Sequence, residues 1–176
     1  MKLLIKYSLI ILLAFSTLSF QQTQNYDTNA KRKAVFLYNF TKLFDWPEKM
    51  KSGNFIIQIV GSNVNLNQEL NKMASTKQIG NQKLEIKITT SLDPAIKPHI
   101  IYLLKESTDL LKDANSKYKG NGTLIITEKT GAAKQGAAIN FIVADNKQAF
   151  EYSQSNAKKA GLKPGDEISG LAIAVD

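Results

Sequence analysis

The sequence predicts an α/β fold: a single three-layer domain whose mixed, largely parallel central sheet is flanked by helices. Three observations predict it. Phe55–Val60, Ile100–Leu104 and Leu124–Ile126 are short, continuous apolar runs, as in strands covered on both faces. Stretches with helical spacing lie between such runs. Strand and helix then alternate through most of the chain, the order that packs helices over a parallel sheet. At 176 residues the chain is long enough for one ordinary domain with a real core.

Residues 1–19 read as an export signal, leaving 20–176 as the folded domain. Lys2 and Lys6 form a basic start, Leu9 to Phe15 an apolar run too short to span a bilayer, and Thr17 and Ser19 the small residues before a cut. Ala30 to Pro47 predicts the first helix, to about Phe44. Ala34, Phe36, Leu37, Phe40, Leu43 and Phe44 fall largely on one face, and Pro47 stops the run. Phe55–Val60 is the first buried strand, ended by Gly61-Ser62. Leu66, Leu70 and Met73 mark the second helix. Leu84, Ile86 and Ile88 alternate with Glu85 and Lys87, predicting a half-exposed strand at a sheet edge.

Asp93-Pro94 starts a turn before the Ile100–Leu104 strand. Ser107 or Thr108 is expected to cap a third helix containing Leu110, Leu111 and Ala114, with Gly120 beyond its end. After the Leu124–Ile126 strand, Gly131 to Gly136 reads as a loop or short helix. Ile139, Phe141 and Val143 predict a strand, Asp145-Asn146 a turn, and the stretch around Ala149 and Glu151 an antiparallel return. Ser155 is expected to cap a short helix through Ala160, closed by Gly161. Pro164-Gly165-Asp166 is a turn, and Leu171–Val175 the last predicted strand.

Composition excludes several classes of function. The formal charge is 23 − 15 = +8, and removal of Lys2 and Lys6 leaves 21 − 15 = +6. The basic residues are scattered, with tight groups only at Lys31 to Lys33 and Lys158-Lys159, so no nucleic-acid stripe is present. An acidic partner or an anionic surface would be weakly attracted. With no cysteine there is no disulfide, thiolate nucleophile or cysteine metal site. The lone His99 cannot form a multi-histidine site and reads as the start of a strand. HExxH, GxSxG and P-loop patterns are lacking, and the carboxylates show no catalytic or metal-binding pairing. The expectation is a non-enzyme with no cofactor and no metal.

The chain also resembles a known family. Lys33-Ala34, Phe36-Leu37, Asn39-Phe40, Lys42 and Trp46-Pro47 are similar to the N-terminal pattern of the YfiR/HmsC-like periplasmic proteins. Phe55–Val60, His99-Ile100-Ile101-Tyr102, Thr123-Leu124-Ile125-Ile126-Thr127, Gly136 with Ile139-Asn140-Phe141, and Asn156-Ala157-Lys158-Lys159-Ala160-Gly161-Leu162 follow in the family's order. The resemblance implies a periplasmic regulator that spans no membrane once processed. Its implied action is to bind and repress a membrane diguanylate cyclase through that enzyme's periplasmic part, lowering cyclic-di-GMP and biofilm formation. A sensor histidine kinase is an equal alternative as partner, and homodimer formation stays open. Two departures stand out: the family's cysteine pairs are missing, and Lys163-Pro164-Gly165-Asp166-Glu167 replaces its usual continuation after Leu162.

Tyr38, Asn39, Lys42 and Trp46 are the expected partner-binding residues. The first two point away from the centre of the apolar stripe, and Trp46 lies past the helix end. Tyrosine and tryptophan join apolar area to a hydrogen-bonding group. In the competing reading Trp46 plugs the bottom of the core and Asn39 ties down a loop. A different class of function, a periplasmic carrier of a small ligand held at strand ends, is the alternative.

Overall fold

The computed structural model describes residues 28–175. The predicted export signal, residues 1–19, lies outside the described residues. Helix α1, Thr28–Leu43, carries the heaviest aromatic load of the chain and buries Ala30, Ala34, Leu37, Phe40 and Thr41. The buried positions recur every three or four residues, which is one face of a helix. Its rings dock on rings of the sheet: Phe40 meets Phe150 edge-on at 5.0 Å, and Phe36 meets Phe150 at 5.3 Å and Phe141 at 6.0 Å. Burying each such side chain is worth about 1.5–3 kcal/mol.

The remaining elements follow in order. β1 is Phe44–Asp45 and β2 Phe55–Val60; helix α2 is Val64–Ala74; β3 is Gln78–Ile79, β4 Gln82–Thr89 and β5 Ile100–Leu103. Helix α3, Leu111–Tyr118, precedes β6 at Leu124–Thr127, β7 at Ile139–Ala144 and β8 at Lys147–Tyr152. Helix α4 is Gln154–Lys159, β9 Lys163–Pro164, α5 Glu167–Leu171 and β10 Ile173–Ala174. Eight strands form one sheet in the order β10-β8-β7-β6-β5-β2-β4-β3. β4, β2, β5, β6 and β7 are mutually parallel, while the β7–β8 and β3–β4 hairpins are antiparallel. The mixed, largely parallel sheet is therefore as predicted.

Strand alternation splits the core into two layers. Ile57 and Ile59, Ile100 and Tyr102, Leu124 and Ile126, and Ile139 and Phe141 face α1 and α2. Val60, Ile101, Leu103 and Ile125 face the other way, toward Leu111, Ala114 and Tyr118 of α3. Residues i and i+2 of a strand share a face, so a run apolar at every position serves both layers.

Three local expectations are corrected. Ser107 and Thr108 do not cap α3. The chain leaves β5 through a 3-10 turn, Lys105–Leu110, in which the Ser107 amide and the Thr108 hydroxyl both donate to the Leu104 carbonyl. Those hydroxyl-bearing residues are spent on the turn, and α3 starts only at Leu111. Ser153, not Ser155, caps α4: its Oγ accepts from the Asn156 amide at 3.2 Å while its backbone is still extended. The predicted strand Leu171–Val175 is shorter than expected, since α5 runs on to Leu171 and only Ile173–Ala174 pairs, parallel to β8. Buried Ile168 anchors α5 and outweighs the glycine in its middle.

Candidate functional site

The outer face of α1 presents Val35, Tyr38, Asn39 and Lys42, spaced i, i+3, i+4, i+7, so they lie on one side of the helix. Asn39 and Lys42 are exposed, Tyr38 is half-buried against the core, and Val35 is 44% exposed. The Lys42 ammonium lies 4.6 Å from the centre of the Tyr38 ring, a cation–π contact that keeps both side chains at the surface. The Thr41 hydroxyl donates to the Tyr38 carbonyl at 2.6 Å. The structure thus brings together three of the four residues expected from the sequence. It adds Val35, an exposed β-branched residue that sequence reasoning passed over because it sits between Ala34 and Phe36 of the apolar stripe and looks like part of it.

Trp46 sits elsewhere. It is 6% exposed, past the end of β1, with its ring edge-on to Phe55 at 5.0 Å and to Phe44 at 6.0 Å. His99 lies 6.3 Å away, stacked on Phe55 at 4.1 Å. The indole nitrogen has no hydrogen-bond partner among the described residues. This is the position of a core plug, and any influence of Trp46 on the α1 face passes through the packing.

The His99 ring is held in one tautomer by its two bonds. Nδ1 accepts from the Ile56 amide at 3.1 Å, so Nε2 carries the hydrogen and donates to the Met50 carbonyl at 2.7 Å. Burial lowers its pKa from the usual histidine value, opposed in part by the bond to Met50. A neutral, doubly bonded ring is a structural joint between the loop before β2 and the start of β5.

At the carboxyl end of the sheet lies a second constellation that no sequence pattern announces. Glu128, just after β6, accepts from the Tyr102 hydroxyl at 2.9 Å and from the Lys105 amide at 3.1 Å. Lys33 of α1 completes the set through an ion pair with the same carboxylate. Burial, reinforced by the Glu128 charge, pushes the Tyr102 phenol far above its ordinary value, so it stays a donor. Glu128 and Lys33 are 95 residues apart, and nothing local links them. With three donors on one carboxylate the cluster holds α1 to the sheet and leaves no free base.

Strand order changes direction between β2 and β5, the place where open α/β sheets usually bind ligands. Here the chain fills that place itself. A Cβ on Gly61 would lie 2.6 Å from Glu106 Oε1, and the Ser62 amide donates to the same oxygen at 3.4 Å. Asn63 Oδ1 takes the Leu66 amide at the start of α2. A carboxylate and a cap occupy the ground an anion would need. Among the described residues no group of three or more His, Asp or Glu side chains is placed to hold a metal. A cavity of about 240 Å³ lies between α3 and α4 against Tyr118, Ile125 and Ala160. Wider clefts, of about 370 Å³ beside Met50 and Tyr118 and about 670 Å³ beside Gly61 and Thr89, reach the roughly 300–1,000 Å³ of ordinary small-molecule sites. No helix among the described residues is long and apolar enough to cross a membrane.

Comparison with known proteins agrees with the motifs. Residues 30–172 match the model of a family described as YfiR/HmsC-like. No curated protein matches the chain.

Proposed function

Because the chain belongs to the YfiR/HmsC-like family, we propose that it is an exported regulator of the periplasm. In this reading, residues 1–19 direct export and are removed. The mature domain binds the periplasmic part of an inner-membrane diguanylate cyclase and represses it, lowering cyclic-di-GMP. The family match over residues 30–172 is the observation that carries the reading. The outer face of α1, with Val35, Tyr38, Asn39 and Lys42, is the proposed contact surface. It combines an apolar side chain, an aromatic ring with a hydroxyl, an amide and a cation on a rigid helix, which is the composition of an interface centre with its rim. A carboxylate-bearing surface on the partner is the complement of Lys42.

The test has two parts. Deleting the gene is expected to raise cellular cyclic-di-GMP, and the wild-type copy to restore it; unchanged levels would exclude a cyclase as target and turn the search to sensor kinases. Titration of the mature protein with the partner's periplasmic domain is expected to give saturable binding. Asn39→Ala and Tyr38→Ala should each weaken that binding by about 2 kcal/mol or more if they are central to the contact. Full affinity in both variants would remove the α1 face from the proposal.

A further inference from the structure

The cleft of about 370 Å³ beside Met50 and Tyr118 carries an unbalanced charge. Three exposed lysines from three separate segments line it: Lys49 in the turn Glu48–Met50, Lys97 in the loop before β5, and Lys117 in the last turn of α3. Among the described residues no carboxylate lines it. Elsewhere Lys33, Lys51, Lys87 and Lys129 form ion pairs; among the described residues Lys49, Lys97 and Lys117 form none. The neighbouring acids are engaged: Glu48 binds Lys51 at 2.7 Å, and Asp93 Oδ1 accepts from the Ala95 amide at 2.8 Å. Half-buried Met50 and Ile96 and the buried ring of Tyr118 give the cleft its apolar surface. The Lys117 ammonium lies 5.2 Å from the centre of that ring, a cation–π contact that keeps the charge beside the apolar surface.

The walls are fixed without a ligand. The Met50 carbonyl accepts from His99 Nε2 at 2.7 Å and from Gln82 Nε2 at 2.9 Å. The Thr123 hydroxyl donates to the Pro98 carbonyl at 2.8 Å, and the Tyr118 hydroxyl to the Asp93 carbonyl at 3.4 Å. These bonds tie the turn to β4 and to the residue before β5, and the loop to α3 and to the residue before β6. Little freedom is left for a ligand to remove. We propose that this cleft binds a phosphate monoester carried on an apolar body. An ammonium only donates, so the ligand must bring acceptors. A phosphate monoester brings three terminal oxygens and a charge of about −1.5 to −2 at neutral pH, where a carboxylate brings two oxygens and a single charge. Its apolar body covers Met50, Ile96 and Tyr118. A soluble ester and a lipid with a monoester headgroup share this chemistry. Tyr118 belongs to the core layer opposite α1, so the site is separate from the proposed α1 contact and is tested without it.

The experiment has two arms, with circular dichroism to confirm folding of each variant. In the first, the mature protein is titrated calorimetrically with phenyl phosphate, inorganic phosphate and phenol. In the second, it is sedimented with phosphatidylcholine vesicles with and without phosphatidic acid. Saturable binding of phenyl phosphate, tighter than inorganic phosphate or phenol, is expected if the ester is soluble; binding only to the phosphatidic acid vesicles assigns the lipid source. In whichever arm binds, Lys97→Glu and Lys117→Glu are each expected to weaken binding at least about tenfold. Lys147→Glu, the same charge change at the exposed start of β8, should leave it unchanged. Ile96→Ser should weaken phenyl phosphate or vesicle binding and leave inorganic phosphate as it was. Absence of binding in both arms overturns the proposal. So does binding that Lys147→Glu weakens as much as Lys97→Glu, which would report net charge alone, or inorganic phosphate held as tightly as the ester.

Discussion

Trp46 is the only tryptophan of the chain, and its ring joins Phe44 and Phe55 inside the core. Trp46→Ala is expected to cost about 3–5 kcal/mol of stability, read from the denaturant midpoint. Trp46→Phe should lose much less, because the indole N–H makes no hydrogen bond to surrender. An alanine variant as stable as the wild type would show that the ring is not a plug. His99 carries a pH dependence whose sign follows from its burial. Its folded pKa lies below the ordinary 6.5, so on acidification the unfolded chain takes up a proton first. The stability due to the neutral ring is complete above about pH 6.5 and is lost as pH falls toward the folded pKa. Melting temperature should drop from pH 6.5 to pH 5, above the range where ordinary carboxylates titrate, as flagged by reference values of about 4. His99→Gln should flatten that slope; an equal slope in the variant would place the proton elsewhere.

At the scale of elements, α1 decides the most. Its inner face is fixed by aromatic packing, its C-terminal end by β1, where Phe44 pairs with Pro164 of β9, and its N-terminal half by Lys33 on Glu128. Removing Lys33 leaves Glu128 with the Tyr102 hydroxyl and the Lys105 amide alone. Lys33→Met is expected to cost about 1.5–3 kcal/mol, the range for hydrogen bonds to charged groups. It should speed amide exchange in the first turns of α1 more than in β2 or β5. Uniform acceleration across the protein would mean that the ion pair stabilises the whole domain and not the helix. The β7–β8 hairpin shows the opposite case, a local rule obeyed: Asp145 and Asn146 both take positive φ, 49° and 57°, as a two-residue turn between twisted strands requires.

At the scale of the whole molecule, the sequence was most legible where burial is two-sided. β2, β5 and β6 are apolar at nearly every position because each serves both core layers, and that pattern shows without knowledge of any partner. What stayed hidden depends on contacts between distant segments. The two-residue strands β1 and β9 exist only because they meet, α5 forms because Ile168 finds the core, and Lys33 finds Glu128 across the fold. The candidate surface was legible in part: helical spacing put Tyr38, Asn39 and Lys42 outside, while the same spacing could not say that Val35 stands free or that Trp46 turns inward. Those long-range contacts have a thermodynamic consequence. The first helix covers rings of β7 and β8, and β1 pairs with β9, so the start of the described chain is packed on its end. Neither half has a covered sheet face without the other, and the domain should unfold as one cooperative unit. Trp46 reports this directly, since its neighbours Phe44 and Phe55 belong to β1 and β2. Urea unfolding followed by tryptophan fluorescence and by far-ultraviolet circular dichroism is expected to give one transition with the same midpoint. Fluorescence changing at lower urea than the backbone signal would mean that the β1–β9 closure opens before the sheet, and that the two ends of the chain form a separable unit.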